Sequence, residues 1–151
     1  MIELLAPSEA DAALALVLES FDAAVAPDYS AEGAALFRRV VTADYLRSLP
    51  ARNGFTLVER DGERLVGLCA VRDHNHLTLF FVRPDAQGRG VGRRLFDAML
   101  ARVRRASPAA RDLEVQSSPV AVPVYEALGF HRCGAELDEG GIRSIPMTRP
   151  L

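Results

Sequence analysis

The chain contains no lysine, since all 18 of its basic residues are arginine. That excludes Schiff-base chemistry and the phosphate loop that requires a lysine. There is no CxxC pair either. The two cysteines, Cys69 and Cys133, lie far apart in the sequence and read as reduced thiols. No apolar run reaches the roughly 18 residues that a membrane span needs. The N-terminal stretch MIELLAPSEADAALA carries acids where a secretory leader carries basic residues. These absences point to a cytoplasmic protein with no membrane partner. Nucleic acid is disfavoured as well, because the pI is 5.9 and no aromatics interleave the arginines.

What is present fits one soluble domain over residues 1–151, with 49% hydrophobic and 25% charged residues. The charge is uneven. Residues 1–50 hold three arginines against eight acids, a net of −5. Residues 83–111 hold eight arginines against two acids, a net of +6. A basic patch of that kind suits either a solvated helix face or a phosphorylated ligand.

The apolar spacing predicts the elements. Residues 2–5 suit a short strand. Ser8 reads as the cap of a helix carrying Leu14, Val17, Leu18, Phe21 and Val25, ended by Pro27. Ser30 reads as the cap of a second helix, with Phe37, Val40, Val41 and Leu49 as its stripe and Pro50 as its end. FTLVER and ERLVGLCAVR flank Asp61-Gly62, a hairpin signal in which both turn residues take positive φ. A turn at residues 73–75 leads into HLTLFFV, apolar on both faces and so expected in the middle of a sheet. Val91, Leu95, Met99 and Val103 then recur every four residues, as on a helix. DLEVQS reads as a strand, and Ser118-Pro119 as a cap with proline at the first helical position. A short helix holding Pro123 and Tyr125 stops at Gly129. Two last strands, about residues 130–137 and 142–149, are joined by DEGG. Pro146 suggests that the final strand is an edge or splayed, which would let a second copy pair there as a homodimer.

Between the third strand of the meander and the long helix lies RPDAQGRGVGRRLF, residues 83–96. A glycine-rich loop running into a helix N-terminus offers unpaired N–H groups, a positive dipole end and backbone that a ligand can approach closely. This suits a phosphate as well as it suits a plain tight turn. The lysine loop is excluded by composition. The dinucleotide fingerprint GxGxxG fails, because counting from Gly88 its third glycine position is Arg93. The remaining pattern is Q-x-x-G-x-G, formed by Gln87, Gly90 and Gly92.

LFFVRPDAQGRGVGRRLF and, further on, VAVPVYEALGF resemble the two signatures of the GNAT superfamily of N-acetyltransferases, in the right order and separation. GIRSIPM is similar to the closing strand of some members. The resemblance implies an α+β (α/β/α) fold with a central mixed, mostly antiparallel, splayed sheet of about six or seven strands and about four helices. It implies acetyl-CoA as co-substrate; no metal is expected. Main-chain groups of Phe80, Phe81 and Val82 would pair with the pantetheine arm like an added strand. Backbone N–H groups of Gln87, Gly88, Arg89, Gly90, Val91, Gly92 and Arg93 would cradle the pyrophosphate. Ser118 stands where members often have asparagine. Tyr125 matches the tyrosine that protonates the leaving thiolate.

The general base is open. Some members carry a glutamate where this chain has Leu77, leaving Asp73, His74, His76, Glu114 or a water chain. His74, His76, His131 and Cys133 could also be read as zinc ligands, though no wider zinc pattern accompanies them. The expected activity is acetyl transfer to a primary amine. The acidic first fifty residues, with Phe21, Tyr29, Phe37 and Tyr45, would shape the acceptor cleft. A small or cationic amine is the favoured acceptor and a protein amine the other class. Two alternatives remain: a non-catalytic acyl-CoA-binding module of the same fold, and a small nucleotide-binding domain.

Overall fold

A computed structural model describes residues 1–151. Its strands are β1 (Ile2–Leu4), β2 (Phe55–Asp61), β3 (Arg64–Arg72), β4 (His76–Val82), β5 (Asp112–Ser117), β6 (His131–Arg132), β7 (Leu137–Glu139) and β8 (Ile142–Pro150). The helices are α1 (Ala10–Ala24), α2 (Ala31–Val40), α3 (Ala43–Ser48), α4 (Val91–Ala106) and α5 (Val122–Ala127). The eight strands make one open sheet in the order β1-β2-β3-β4-β5-β8-β6, with β7 paired to β8. Every pairing is antiparallel except β4 with β5. The α+β layering expected from the sequence is the fold observed, with eight strands and five α-helices.

Two cores lie on opposite faces of the sheet. One gathers the α4 stripe, Val91, Leu95, Met99 and Val103, with Cys69, Leu77, Val115 and Tyr125. The other gathers Leu16 and Val17 of α1 and Leu46 of α3 with Leu68, Ala70 and Leu79. β3 and β4 supply both cores by alternation, which is why their sequences are apolar on both faces. A Cβ at Gly67 would lie 2.7 Å from side-chain atoms of both Val91 and Leu95. Only a residue without a side chain lets α4 sit this close to β3.

The local signals correct several boundaries. Ser30 caps α2 as expected, its side chain accepting from the Gly33 N–H at 3.0 Å. The helix foreseen through Leu49 breaks at Val41, because Thr42 takes an extended conformation and caps α3, accepting from the Tyr45 N–H at 3.1 Å. Ser8 caps nothing. It lies within a 3-10 turn, Pro7–Glu9, that precedes α1. The β2–β3 loop is Gly62-Glu63, since Asp61 pairs with Arg64, and only Gly62 has positive φ. Two successive positive φ values occur instead in the β3–β4 turn, at Asp73 and His74. Pro123 falls in the first turn of α5, where its missing N–H has no helical partner to lose. The strand foreseen near 130–137 is two short pieces, β6 and β7. β8 is not an edge strand, because β5 lies on one side of it and β6 and β7 on the other. Pro146 is accommodated there through its carbonyl, which accepts from the Cys133 N–H at 3.0 Å. The edge-pairing argument for a homodimer therefore lapses.

The β7–β8 turn is docked on α2. A Cβ at Gly33 would lie 2.0 Å from the Gly141 carbonyl oxygen. Two backbones meet here with no side chain able to move aside. We predict that Gly33→Ala destabilises the protein by about 1–3 kcal/mol, as overpacking does. It should also raise amide hydrogen exchange in the β7–β8 turn while the β3–β4 amides stay protected. Unchanged exchange in that turn would refute the docking account.

Candidate active site between strands β4 and β5

β4 and β5 share only two residue pairs, His76 with Glu114 and Leu77 with Val115. The cause of the parting lies in β4. Ala70 pairs with Leu79 but Val71 pairs with Leu77, so Thr78 is an extra residue in a β-bulge. A bulge bends its strand and strengthens the local twist. It stands immediately after the last β4–β5 pair, so the rest of β4 swings away while β5 continues alongside β8 to Ser117.

The opening is a cavity of about 710 Å³ lined by 25 residues, none of which is Asp, Glu, His or Arg. One wall is the free edge of β4. Arg83 donates its N–H to Val66 on β3 at 2.9 Å, so by antiparallel alternation the main-chain groups of Phe81 also face β3. Those of Phe80 and Val82 face the opening. The side chains alternate too. Phe80 and Val82 pack on the α4 side, and Phe81 on the α1–α2 side.

The loop into α4 forms the far end. Gly88 and Gly90 both have φ +79. A Cβ at Gly88 would meet nothing within 4 Å, so this glycine serves backbone conformation alone. None of the N–H groups from Gly88 to Arg93 donates to a backbone carbonyl, and the first helical bond at this end runs from Arg94 to Gly90 at 3.0 Å. Six successive donors are thus free beside the positive end of a 16-residue helix. The Gln87 N–H bends back toward Pro84 at 3.5 Å, and its side chain reaches the Val82 carbonyl at 3.3 Å.

An ion pair braces the loop from behind. Arg94 donates to both oxygens of Glu59, at 2.7 and 2.8 Å, and to the Arg89 carbonyl at 2.9 Å. Glu59 is a buried acid, 5% exposed, at the end of the buried run Phe55–Glu59 of β2. Hydrogen bonding from Arg94 holds its carboxyl below the usual carboxylate value against the opposing effect of burial. The arginine-rich segment is therefore partly neutralised, although Arg102, Arg104, Arg105 and Arg111 form no ion pair. Arg94 is committed to Glu59, Arg83 to Glu19, and Arg64 to Asp85.

Tyr125 is 7% exposed and wedged against Phe80 and Phe130, with ring centroids 6.2 and 5.4 Å away. Gly129, at φ +94, ends α5 and lets the Phe130 N–H return to the Tyr125 carbonyl at 3.0 Å, which fixes the tyrosine's direction. Burial, with a smaller contribution from the neighbouring Cys69, raises the phenol's pKa. Tyr125 therefore stays a neutral O–H donor at the cavity wall. The Cys69 thiol is itself pushed up to about 12 by burial, so it is inert as a nucleophile.

Ten of the twelve residues singled out in the sequence line this one cavity: Phe80, Phe81, Val82, Gln87, Gly88, Gly90, Val91, Gly92, Ser118 and Tyr125. The side chains of Arg89 and Arg93 point outward, near Asp61 and Asp97. Ser118 starts the turn before α5, but its hydroxyl makes no capping hydrogen bond. The candidate bases do not reach the cavity. Asp73, His74, His76 and Glu114 sit at the closed end, where β4 and β5 are still paired. Burial there lowers the His76 pKa to about 4. His74, His76, His131 and Cys133 form no cluster, and no group of three or more potential metal ligands comes together anywhere in the chain. The Glu59–Arg94 brace and the Thr78 bulge were not foreseen. The brace left little trace in the sequence, because Glu59 is followed by Arg60 and Asp61 and reads as part of a polar strand end.

The sequence matches the acetyltransferase (GNAT) domain family over residues 25–151. No curated protein matches it. Among solved structures, a GCN5-related N-acetyltransferase from Rhodopseudomonas palustris superposes with a TM-score of 0.84 at 22% identity, covering 100% of this chain and 95% of that one. PaiA N-acetyltransferase from Thermoplasma acidophilum, in complex with coenzyme A, gives 0.80 at 16% identity, with coverage of 100% and 98%. A ribosomal-protein-alanine N-acetyltransferase from Brucella melitensis gives 0.70 at 17%, with coverage of 100% and 99%. At these identities the likeness is one of fold.

The brace generates a pH prediction. The folded pKa of Glu59 lies below its unfolded value, so the pair adds stability above the ordinary carboxylate range. That stability is lost as pH falls through the lowered value. Glu59→Gln should cost about 1–3 kcal/mol near neutrality. The gap between wild-type and variant melting temperatures should close below about pH 4. A gap that stays constant across the titration would show that the pair is not ionised.

Proposed function

The chain belongs to the GNAT acetyltransferase family, and from that premise we propose that it transfers the acetyl group of acetyl-CoA directly to a primary amine. The observation that carries this reading is the pairing of two unsatisfied backbone surfaces in one cavity: the free edge of β4, and the row of six free N–H groups before and within the first turn of α4. A pantetheine arm is rich in amides and matches a strand edge. A pyrophosphate matches a helix N-terminus. The residues present fit both parts of the ligand.

In this reading Phe80 and Val82 bind the arm through their main chains, and Phe81 contributes its ring to the acceptor wall. Gly88 to Arg93 hold the pyrophosphate, with the Gln87 side chain fixing the end of β4. Ser118 closes the β5 side. Tyr125 faces the thioester sulfur and gives it a proton as the C–S bond breaks. Its raised pKa suits the role, because the phenol remains protonated throughout the working range. No carboxylate or imidazole lines the cavity, so the proton from the amine leaves through water.

Acetyl-CoA should stabilise the fold by about 2.7 kcal/mol at a hundred-fold excess over its dissociation constant. Gly90→Val should abolish the shift, since Gly90 sits at φ +79 and its Cβ would press on the Arg94 guanidinium at 3.0 Å. No melting shift with acetyl-CoA in the wild type would overturn the assignment. A shift without thiol release, for any amine offered, would favour a non-catalytic acyl-CoA-binding module.

Tyr125→Phe removes only the hydroxyl and keeps the ring packing. We predict that kcat falls roughly ten- to a thousand-fold with little change in acetyl-CoA affinity. Near-full turnover with chemistry rate-limiting would exclude Tyr125 as the acid. A loss of several kcal/mol of stability with no kinetic effect would make it a core tyrosine.

A further inference from the structure

The cavity continues past the β4 edge into a second half. Its walls are Ala23, Ala24 and Val25 at the end of α1, Tyr29, Phe37 of α2, and Phe81 across from them. Phe21 stacks behind Phe37 with ring centroids 3.9 Å apart, so the wall is fixed. The sequence led to the expectation of a cationic acceptor because residues 1–50 are acidic. The structure removes that basis. Of the eight acids in those residues, six (Glu3, Glu9, Asp11, Glu19, Asp22 and Asp44) are in ion pairs with arginines. The other two, Asp28 and Glu32, do not line the cavity.

The polar groups of this half are few. The Ser20 hydroxyl donates to the Leu16 carbonyl at 2.8 Å, and Thr78 and Tyr45 share a hydrogen bond of 2.8 Å. The Tyr29 phenol remains, on a ring held edge-on against Phe21 at 5.5 Å. An acceptor entering here meets apolar walls, the Tyr29 phenol and the Gln116 amide, all of them uncharged.

Resting on the transferase reading above, we infer that the acceptor is a small, neutral, weakly basic amine on an apolar or aromatic body, of the aryl-amine or aryl-hydrazine class. An ammonium group would lose its water in this half and find no counter-charge. It would also be the wrong species. At a lysine-like pKa of ~10.4, only about one amine in 2,500 is neutral near pH 7. No carboxylate or imidazole lines the cavity to remove the extra proton. An aryl amine arrives with its lone pair free. The nitrogen attacks the thioester carbonyl carbon, the C–N bond forms, and the C–S bond breaks. The sulfur takes a proton from Tyr125, and the nitrogen gives one proton to water, which restores the phenol. A peptide amine is disfavoured because its flanking amides would also need partners, and only the Tyr29 phenol and the Gln116 amide are there to serve them.

The test is CoA-thiol release by the full chain with acetyl-CoA and four acceptors: a para-alkylaniline, 2-phenylethylamine, spermidine, and a short peptide with a free α-amino group. The aniline should show kcat/KM at least ten-fold above each of the others near neutrality. Ala24→Asp adds a carboxylate to the cavity wall at an exposed helix end. It should shift the ratio of 2-phenylethylamine to aniline turnover at least ten-fold toward the charged amine. The acetyl-CoA melting shift verifies that the variant folds and binds coenzyme. A preference for spermidine, 2-phenylethylamine or the peptide in the wild type overturns the inference, and so does an intact melting shift with no aniline turnover. Absence of the melting shift itself overturns the transferase reading instead.

Discussion

Everything at the site depends on the failure of β4 and β5 to stay paired. After two residue pairs the bulge at Thr78 turns β4 away, and a strand edge normally satisfied inside a sheet is left open in the middle of the molecule. An internal strand edge is costly unless something occupies it. The sheet tolerates the opening because β3 still pairs along β4 and β8 still pairs along β5. The defect is confined to one seam.

Two kinds of contact hold the walls of that seam in place. The first is backbone meeting backbone or helix through glycine: Gly67 beneath α4, and Gly33 against the turn of β8. The second is the Glu59–Arg94 pair, which links a buried position on β2 to the loop carbonyl of Arg89. Neither supplies a group to the cavity. The Gly67 contact and the Glu59–Arg94 pair determine where α4 begins, and therefore where its free N–H groups point, while the Gly33 contact seats α2 against the turn. The site's geometry is set by contacts on its far side.

Much of this was readable in the sequence, and the failures share a cause. The α4 stripe, the central position of β4, the Ser30 cap and the glycine loop are local patterns, each carried by a few adjacent residues. The loop and the tyrosine helix carry the family's signatures, so ten of twelve chosen residues share one cavity. The errors arose where a residue's role depends on a distant partner. Thr42 looked like the interior of a helix. β8 looked like an edge because Pro146 lacks an N–H, yet its carbonyl accepts from Cys133, just after β6. The acids of residues 1–50 looked like a cleft lining, yet their arginines lie as far away as Arg60 and Arg83. Charge summed along a segment does not say which charges are already neutralised by another.

The brace behind the loop also bears on durability. A guanidinium stays protonated at any pH a protein experiences, so Arg94 has no lone pair to offer an electrophile. A lysine at the same place would hold Glu59 less well. It would also be an amine open to acylation. Acylation there would erase its charge and release the loop. With arginine in place of every lysine, none of the chain's ion pairs depends on an amine whose charge acylation could erase.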